Sequence, residues 1–308
     1  MLLQLDQLLP ILQCPVSRAP LSRQDSVLVS TSGRQYPLVR DIPILFPDAR
    51  IDSPSLPESY KDRTPRKSKA ERLLLRILSV AHTPDAKAAM SNFIAQILAK
   101  PGSSVLVIGG GAVPNDIKAI YEAKQSRVIS LDIYASPSTN LCADGHTLPI
   151  QDSSVDFVLI QAVLEHVFSP EQVVKEIHRV LRPGGVVYAD TPFMYPVHEG
   201  AYDFLRFSLT GHRWLFRGFK EIDSGPSLGC GSTFMLSARY FFKALTGSRI
   251  MAAALTIPFA AAKLLERFID RRYHVDAGAG MYFVGSKSEE EISQADAISG
   301  YAGAQGGQ

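Results

Sequence analysis

Between about residue 100 and residue 190, short apolar runs alternate with longer segments in which apolar residues recur at helical spacing. Residues 104–108 and 127–131 are rich in valine, isoleucine and leucine, which is typical of strands buried on both faces of a sheet. The segment that begins at Pro170 has the period of an amphipathic helix, with apolar residues at Val173, Val174, Ile177, Val180 and Leu181. This alternation predicts an α/β fold with a doubly wound, mostly parallel, Rossmann-like sheet.

Three glycines follow the first of these runs, and an aspartate closes the second. Gly109, Gly110 and Gly111 predict a sharp turn whose backbone N–H groups face a ligand at the start of the next helix. Asp132 comes directly after the second run, where its carboxylate can accept hydrogen bonds from both hydroxyls of a ribose. Right-handed crossovers place the carboxyl ends of parallel strands at one edge of the sheet. A nucleoside-containing ligand is therefore predicted at that edge.

An ordered series of motifs continues downstream of the glycine turn. It comprises Ala143-Asp144-Gly145-His146, the strand-like residues 154–161, Val163-Leu164-Glu165-His166 and Arg179-Val180-Leu181-Arg182-Pro183-Gly184-Gly185. The series resembles the class I S-adenosylmethionine-dependent methyltransferases, in particular the methyltransferase type 11 group, over about residues 100–287.

The resemblance implies an enzyme that uses S-adenosyl-L-methionine, and it assigns the residues that bind this cofactor. They are Gly109, Gly110, Gly111, Asp132, Asp144, Gly145 and Gln161. In this assignment the glycines lie under the amino-acid part of the cofactor, Asp132 holds the ribose, and Asp144 lies near the adenine amino group. The alternative for Asp144 is a turn-forming role beside Gly145. Gln161 faces either the cofactor or the substrate.

Two positions depart from the pattern of the family. Val107 stands where the family carries an acid two residues before the first glycine, and Val113 stands at the third glycine position. A non-catalytic binding or scaffold protein with the methyltransferase fold is therefore the alternative to an enzyme. A nicotinamide-dependent oxidoreductase is disfavoured, because Pro114 replaces the last glycine of the dinucleotide fingerprint.

Residues 198–208 follow the fifth strand of the resemblance, where the family inserts elements that contact the substrate. His198 offers a base, Asp203 an orienting carboxylate and Arg206 a fixed cation, so these three are the predicted catalytic residues. The alternative is an Asp203–Arg206 ion pair that braces the loop. Glu165 and His166 are a candidate acid–base pair, but the resemblance favours a structural role, because the matching histidine of the family is usually structural. The expected acceptor is an O or N atom of a small molecule, a saccharide or a lipid-linked intermediate.

Residues 1–49 predict a separate, small, β-rich module that resembles the Trm112-like zinc ribbons. Such ribbons hold zinc through paired cysteines, usually Cys-Pro-x-Cys and a further cysteine. Here Cys14 is followed by Ser17 at the second ligand position, and the next cysteine is Cys142. Four tetrahedral ligands cannot be assembled from Cys14 alone, so no metal is predicted.

Residues 50–99 predict a linker followed by helical segments that break near Thr83-Pro84. The linker carries a basic run, interpreted as a solvated helix start rather than a binding patch, at Arg63, Arg66, Lys67, Lys69 and Arg72. Residues 288–308 are dominated by small and polar residues and predict a disordered tail.

Residues 234–273 predict a helical insertion that contains the most apolar stretch of the chain, at 250–265. This stretch is interrupted by Pro258 and is short for a membrane span. Cations surround it from Arg239 to Arg272. The insertion is either a lid or a dimer contact, or it is an interfacial hairpin that touches anionic lipid.

Composition narrows the remaining function classes. The 32 Lys and Arg residues nearly balance the 30 Asp and Glu residues, so the net charge of +2 predicts no nucleic-acid partner. The three cysteines are odd in number and far apart, and no signal peptide is recognisable. A cytoplasmic location is therefore predicted, with peripheral membrane contact as the alternative. The oligomeric state is left open.

Overall fold

The computed structural model describes residues 2–47 and 78–306. The strands of these residues form one sheet. They are β1 (Leu21–Gln24), β2 (Val27–Ser30), β3 (Gln35–Val39), β4 (Ile42–Leu45), β5 (Ser104–Ile108), β6 (Arg127–Asp132), β7 (Leu141–Ala143), β8 (Val155–Gln161), β9 (Leu181–Pro192), β10 (Phe219–Leu228) and β11 (Gly280–Lys287). Their spatial order is β1-β2-β3-β4-β7-β6-β5-β8-β9-β11-β10.

Helices connect these strands and cover the sheet. In the described residues the α-helices are α1 (Leu5–Leu8), α2 (Pro84–Leu98), α3 (Lys118–Glu122), α4 (Pro170–Val180), α5 (Leu209–Leu215), α6 (Cys230–Thr246), α7 (Arg249–Thr256), α8 (Ala262–Leu265), α9 (Arg271–Ala277) and α10 (Gln294–Ser299).

The central strands have the topology that the sequence predicts. Strands β5 to β9 pair in parallel, and β11 lies antiparallel between β9 and β10. Strand β5 has β6 on one side and β8 on the other, so the direction of winding reverses there. Ligands of doubly wound sheets bind at the carboxyl ends of the strands that flank such a reversal. The predicted α/β fold class is confirmed.

Alternate residues of β5 pack on opposite faces of the sheet, which explains why the whole strand is apolar. Leu106 and Ile108 belong to an apolar cluster that includes α4, whereas Val105 and Val107 belong to a second cluster that includes Phe93 of α2. Since helices cover both faces, neither set of side chains meets water. The sheet and its carboxyl edge are therefore held from both sides.

The N-terminal region is β-rich, as predicted, but it does not pack as a separate body. Strands β1 to β4 are antiparallel, and β4 then pairs in parallel with β7 through Ile44 and Cys142. Leu3, Leu8 and Leu12 lie in the same apolar cluster as the central strands. The expectation of a separate module is corrected, because these leucines find their burial against the large sheet. The resemblance to Trm112-like proteins stays a prediction.

The predicted linker and its basic run fall between residues 48 and 77, outside the described residues. The predicted break at Thr83-Pro84 is the start of α2, where the Thr83 hydroxyl accepts a hydrogen bond from the Ala86 amide at 3.2 Å. The predicted disorder of residues 288–308 is corrected for its described part. Helix α10 begins with a capping box formed by Ser293 and Asp296, and Ala297 is buried.

The helical insertion covers residues 230–277 and includes a 3-10 turn at Ile257–Ala261. Pro258 lies in this turn, so the apolar stretch is interrupted at the position that the sequence predicts. Among the described residues, none of the helices combines the length and the apolar character that a bilayer crossing demands.

Candidate active site

The turn after β5 requires glycine at its first position. Gly109 has φ +82°, and a Cβ atom there would lie 2.4 Å from Cγ2 of Val163. The amides of Gly109 and Gly110 donate hydrogen bonds to the Leu131 carbonyl oxygen at 2.9 and 3.0 Å. A Cβ on Gly110 would meet the Ser130 hydroxyl oxygen at 2.0 Å. The backbone of the turn therefore lies directly against the end of β6.

Asp132 joins this turn from the neighbouring strand. One of its carboxylate oxygens accepts a hydrogen bond from the Gly111 amide at 2.8 Å, and the other accepts one from the Tyr134 amide at 3.2 Å. Burial raises the pKa of Asp132, while the backbone hydrogen bonds from Gly111 and Tyr134 oppose that rise. The structure thus brings the predicted glycine turn and the predicted ribose acceptor together at one edge of the sheet.

Asp144 and Gly145 lie at the carboxyl end of β7. Asp144 begins a 3-10 turn, and its Oδ1 atom accepts from the His146 amide at 2.9 Å and lies 2.6 Å from His146 Nδ1. A Cβ on Gly145 would come no closer than 3.5 Å to Val173, which is an ordinary contact. These contacts fit the turn-forming role that the sequence analysis leaves open for Asp144. Its role toward adenine stays a prediction.

Gln161 ends β8, beside a residue that sequence reasoning did not single out. Gln161 is the register partner of Asp190 on β9. The Ser227 hydroxyl donates to Asp190 Oδ1 at 2.7 Å, and His82 Nε2 lies 3.8 Å from Oδ2. Burial raises the pKa of Asp190 to about 8. At neutral pH this carboxyl is mostly protonated, which makes it a hydrogen-bond donor at the carboxyl edge. The signal in the sequence is an acid that directly follows the run Val186-Val187-Tyr188-Ala189.

The loops after β8 and β9 meet, and three side chains converge there. The Nε2 atoms of His166 and His198 lie 3.1 Å apart. Oε1 of Glu165 lies 3.6 Å from His166 Nε2 and 3.5 Å from His198 Nε2. The nearby Glu165 carboxylate raises the pKa of His198, although burial of the ring opposes this rise. Sequence reasoning weighed Glu165 and His166 as an acid–base pair and placed His198 in a separate motif.

Asp203 and Arg206 form an ion pair inside the same loop. Arg206 donates to both oxygens of Asp203, through Nη1 and, at 2.6 Å, through Nη2. Arg206 also donates from Nε to the Tyr195 carbonyl oxygen at 3.2 Å. The pairing with Arg206 holds the pKa of Asp203 at about 2, so this carboxylate stays ionised. The geometry favours the bracing role for the pair over a free cation at position 206.

A cavity of about 270 Å³ adjoins this loop. One wall is the backbone turn that includes Tyr195, and the opposite wall is made by α6 and α7. Three cations, Arg239, Lys243 and Arg249, line it. The Tyr195 ring also lies 5.3 Å from the His198 ring, centroid to centroid. The cavity is thus adjacent to the histidine pair and has positive charge on one side.

Val107 and Val113, which depart from the family pattern, both contribute to apolar packing. Val107 is buried in the cluster below α2, and Val113 packs partly buried against the same cluster. Val107 has no polar atom and therefore cannot replace the acid of the family pattern. Val113 carries a side chain where the family pattern has a glycine, so the backbone is less accessible to a ligand there.

Comparison with known proteins finds a match to part of the chain. Residues 91–189 match the family model described as a methyltransferase domain. The described residues thus combine a Rossmann-like α/β sheet with a local similarity to methyltransferase domains. The match contains the glycine turn, Asp132, Asp144, Gln161 and the Glu165-His166 pair, and it ends before Asp190 and the acceptor-side loop.

Individual relatives align with parts of the chain. An uncharacterized 37.1 kDa protein in a transposon of Streptomyces fradiae is 34% identical over 37% of this chain and 37% of its own length. A probable S-adenosylmethionine-dependent methyltransferase of Mycolicibacterium smegmatis is 51% identical over 15% of this chain and 18% of its own length. The chain therefore spans well under half of these relatives. Among solved structures, Haemonchus contortus phosphoethanolamine N-methyltransferase 2 in complex with S-adenosyl-L-methionine is 14% identical, with TM-score 0.46 over 75% of this chain and 60% of that one.

Proposed function

We propose that the chain is an S-adenosylmethionine-dependent methyltransferase whose acceptor is an O or N atom of a molecule that carries an anionic group. The observation that carries this proposal is the contact between the Asp132 carboxylate and the Gly111 amide at 2.8 Å. It joins a glycine turn and a ribose-type acceptor at the point where the winding of the sheet reverses. The match of residues 91–189 to methyltransferase domains supports the same chemistry.

Methyl transfer from S-adenosylmethionine does not require the protein to form a covalent bond with either reactant. When bound, S-adenosylmethionine would supply a methyl group on a sulfonium: the acceptor atom would bond to that carbon as the carbon–sulfur bond breaks, and S-adenosylhomocysteine would leave with the electron pair. An O–H or N–H acceptor would also release its proton, to a base or to water. The rate then depends mainly on holding the acceptor in line with the methyl group. The braced loop between Tyr195 and Arg206 and the adjoining cavity are suited to such positioning, since Arg206 ties the backbone of this loop together.

The anionic character of the acceptor is inferred from the cations of the cavity. Arg239, Lys243 and Arg249 line the cavity, together with Tyr195 of the loop. Cations grouped in a partly enclosed space favour a phosphate or carboxylate group. Either a free small molecule or the headgroup of a lipid-linked acceptor would provide that charge.

A lipid-linked acceptor is favoured by the surface around the cavity. Helices α6 and α7 expose large apolar side chains between these cations, including Phe241, Leu245, Ile250 and Met251. Apolar side chains beside arginine and lysine are typical of helices that lie on anionic lipid. We therefore propose peripheral contact of this surface with an anionic membrane.

Calorimetric titration of the purified chain with S-adenosylhomocysteine tests the proposed function. We expect one binding site per chain, and we expect no heat of binding with NADH, which serves as the control nucleotide. An absence of S-adenosylhomocysteine binding in folded protein would favour the non-catalytic scaffold and would refute the proposed activity.

A further inference from the structure

We propose that Glu165, His166 and His198 hold a divalent transition-metal ion beside the acceptor cavity. The three side chains come from two loops that are 32 residues apart in the sequence. Their potential ligand atoms all lie within 4.8 Å of one another. The expectation of no metal rested on the cysteines of the N-terminal region, and it does not bear on this cluster.

The contacts of the two imidazole rings indicate which nitrogen of each ring carries a proton. His166 Nδ1 lies 2.7 Å from the Tyr202 carbonyl oxygen, which can only accept, so this nitrogen carries the proton. His198 Nδ1 lies 3.3 Å from the Asp203 carboxylate, an ion-pair distance without hydrogen-bond geometry, and the negative charge there favours a proton on that nitrogen. In the tautomer with the proton on Nδ1, the Nε2 atom of each ring offers a lone pair, and the two Nε2 atoms lie 3.1 Å apart. Two nitrogen lone pairs and a carboxylate oxygen therefore converge without a donor between them.

The Glu165 carboxylate strengthens this argument because it is fully buried. Its side chain has 0% exposure, and within the described residues neither of its oxygens has a hydrogen-bond partner. A buried charge without hydrogen bonds is costly unless a cation compensates it. A proton shared by the two histidines would satisfy those rings but would leave the oxygens of Glu165 without a ligand or a donor. A metal ion satisfies all three side chains at once.

The distances between the three potential ligand atoms are compatible with coordination of one shared metal ion. Ligands about 2.1 Å from one metal, at angles between octahedral and tetrahedral values, lie roughly 3.0–3.4 Å from each other. The separations here are 3.1, 3.5 and 3.6 Å. A small inward movement of the Glu165 side chain completes the geometry. The contacts of His166 with Tyr202 and of His198 with Asp203 are the outer partners that usually orient metal-binding histidines.

The ligand types select the class of metal. Mg²⁺ and Ca²⁺ prefer oxygen ligands, whereas two imidazoles and one carboxylate suit zinc, iron(II), cobalt(II) or manganese(II). Three protein ligands leave coordination positions open, as in catalytic sites. The open side would orient a hydroxyl of the acceptor near the cavity. That consequence rests on the proposed function, whereas metal binding itself does not.

Metal titration of tag-free protein, after dialysis against a chelator, tests the site. We expect calorimetry to show one Zn²⁺ or Co²⁺ ion per chain, Mg²⁺ to bind far more weakly, and the bound Co²⁺ to give visible absorption. His166→Ala, His198→Ala and Glu165→Gln should each weaken Co²⁺ binding by more than about 100-fold, since loss of an outer partner alone costs roughly 10- to 100-fold. His178→Gln is the matched control, because His178 makes its hydrogen bond to the Ser288 carbonyl oxygen instead.

The outcomes separate the metal site from the proposed function. Wild-type protein that binds no transition metal, or binding that survives His198→Ala unchanged, would overturn the inference even if a variant of another residue failed to fold. Titration of the same preparation with S-adenosylhomocysteine reports the cofactor site independently. Nucleoside binding without metal refutes only the metal site, and metal binding without the nucleoside refutes only the proposed function.

Discussion

The Asp132 carboxylate accepts a hydrogen bond from the Gly111 amide at 2.8 Å, and this contact connects the end of β6 to the glycine turn after β5. Because the carboxylate and the turn hold each other, a ligand that uses one also meets the other. The ribose and the amino-acid part of S-adenosylmethionine are separated by a short link. Asp132 can therefore bind the ribose while the adjacent glycine turn binds the amino-acid part of the same ligand.

Removing the Asp132 carboxylate should weaken cofactor binding. We expect Asp132→Ala to reduce the affinity for S-adenosylhomocysteine by roughly 1.5–3 kcal/mol, the contribution of hydrogen bonds to a charged acceptor. Calorimetry on the folded variant measures this, and Asp6→Ala, an exposed aspartate on α1, is the control. Equal affinity of Asp132→Ala and wild type would contradict the ribose assignment.

Gly109→Ala should be more damaging than an alanine at another glycine with the same backbone conformation. Gly109 and Gly33 both have φ +82°, but only at Gly109 would the new Cβ meet a close neighbour, Val163 at 2.4 Å. The left-handed backbone costs about 1–2 kcal/mol at either position. The clash should add roughly 1–3 kcal/mol at Gly109.

Urea unfolding of Gly109→Ala and Gly33→Ala gives the two losses directly. Equal losses would show that the turn can move away from Val163, and that the close packing of this loop does not determine the choice of glycine.

Asp190 should make the free energy of unfolding depend on pH. Its pKa is about 8 in the folded chain, against an ordinary value of 3.8, because burial favours the neutral form. Between these two values the folded state holds a proton that the unfolded state has released. The stabilising effect is therefore complete below about pH 4 and is lost as the pH rises through about 8.

Asp190→Asn removes this titration, so its stability should fall less than that of wild type between pH 5 and pH 8. Urea unfolding at several pH values, in metal-free buffer, measures the difference, with Asp6→Asn as the exposed control. Parallel pH curves for wild type and Asp190→Asn would argue against the raised pKa.

Arg206 should matter for stability more than for cofactor binding. The Asp203 side chain is 1% exposed, so Arg206→Ala leaves a buried carboxylate without its main partner. We expect a loss of roughly 3 kcal/mol in the free energy of unfolding, with little change in S-adenosylhomocysteine affinity. In the double variant Asp203→Asn/Arg206→Ala, part of the stability should return, since no buried charge is left unpaired. No recovery in the double variant would speak against the bracing role.

The insertion should attach to anionic vesicles. Leu245 and Ile250 are 69% and 72% exposed and lie near Lys243 and Arg249. Each cation near an anionic surface contributes about 1 kcal/mol, and salt weakens this part because the screening length falls to roughly 3 Å at 1 M. We expect flotation with anionic vesicles at low salt, less at high salt, and none with neutral vesicles.

The double variant Leu245→Ser/Ile250→Ser should lose this flotation, whereas Ile298→Ser should not. Ile298 is 70% exposed but lies on α10, outside the insertion of residues 230–277. Wild-type protein that stays with the soluble fraction in all conditions would leave the lid or the dimer contact as the interpretation of this surface.

Local sequence was sufficient to predict the elements that depend on local physics. The period of apolar residues predicted β5, β6 and α4, and Pro170 marked the start of that helix. The glycines after β5 and Asp132 after β6 could be placed at one edge, because parallel strands connected by right-handed crossovers leave little choice. The fold class and the core of the candidate site therefore follow from patterns within a few residues of each position.

The remaining features depend on contacts between distant parts of the chain. The sequence does not show that His198 reaches His166, or that Asp190 is buried beside Ser227, since each pairing depends on how two loops or strands fold back. The sequence predicted a separate N-terminal module, but its leucines share the apolar cluster of the central strands, and β4 pairs with the edge of β7. Burial determines the protonation state of Asp190, and the convergence of two loops determines which side chains surround Glu165. Only the tertiary structure determines either property, because both arise from the exclusion of water by residues far away in sequence.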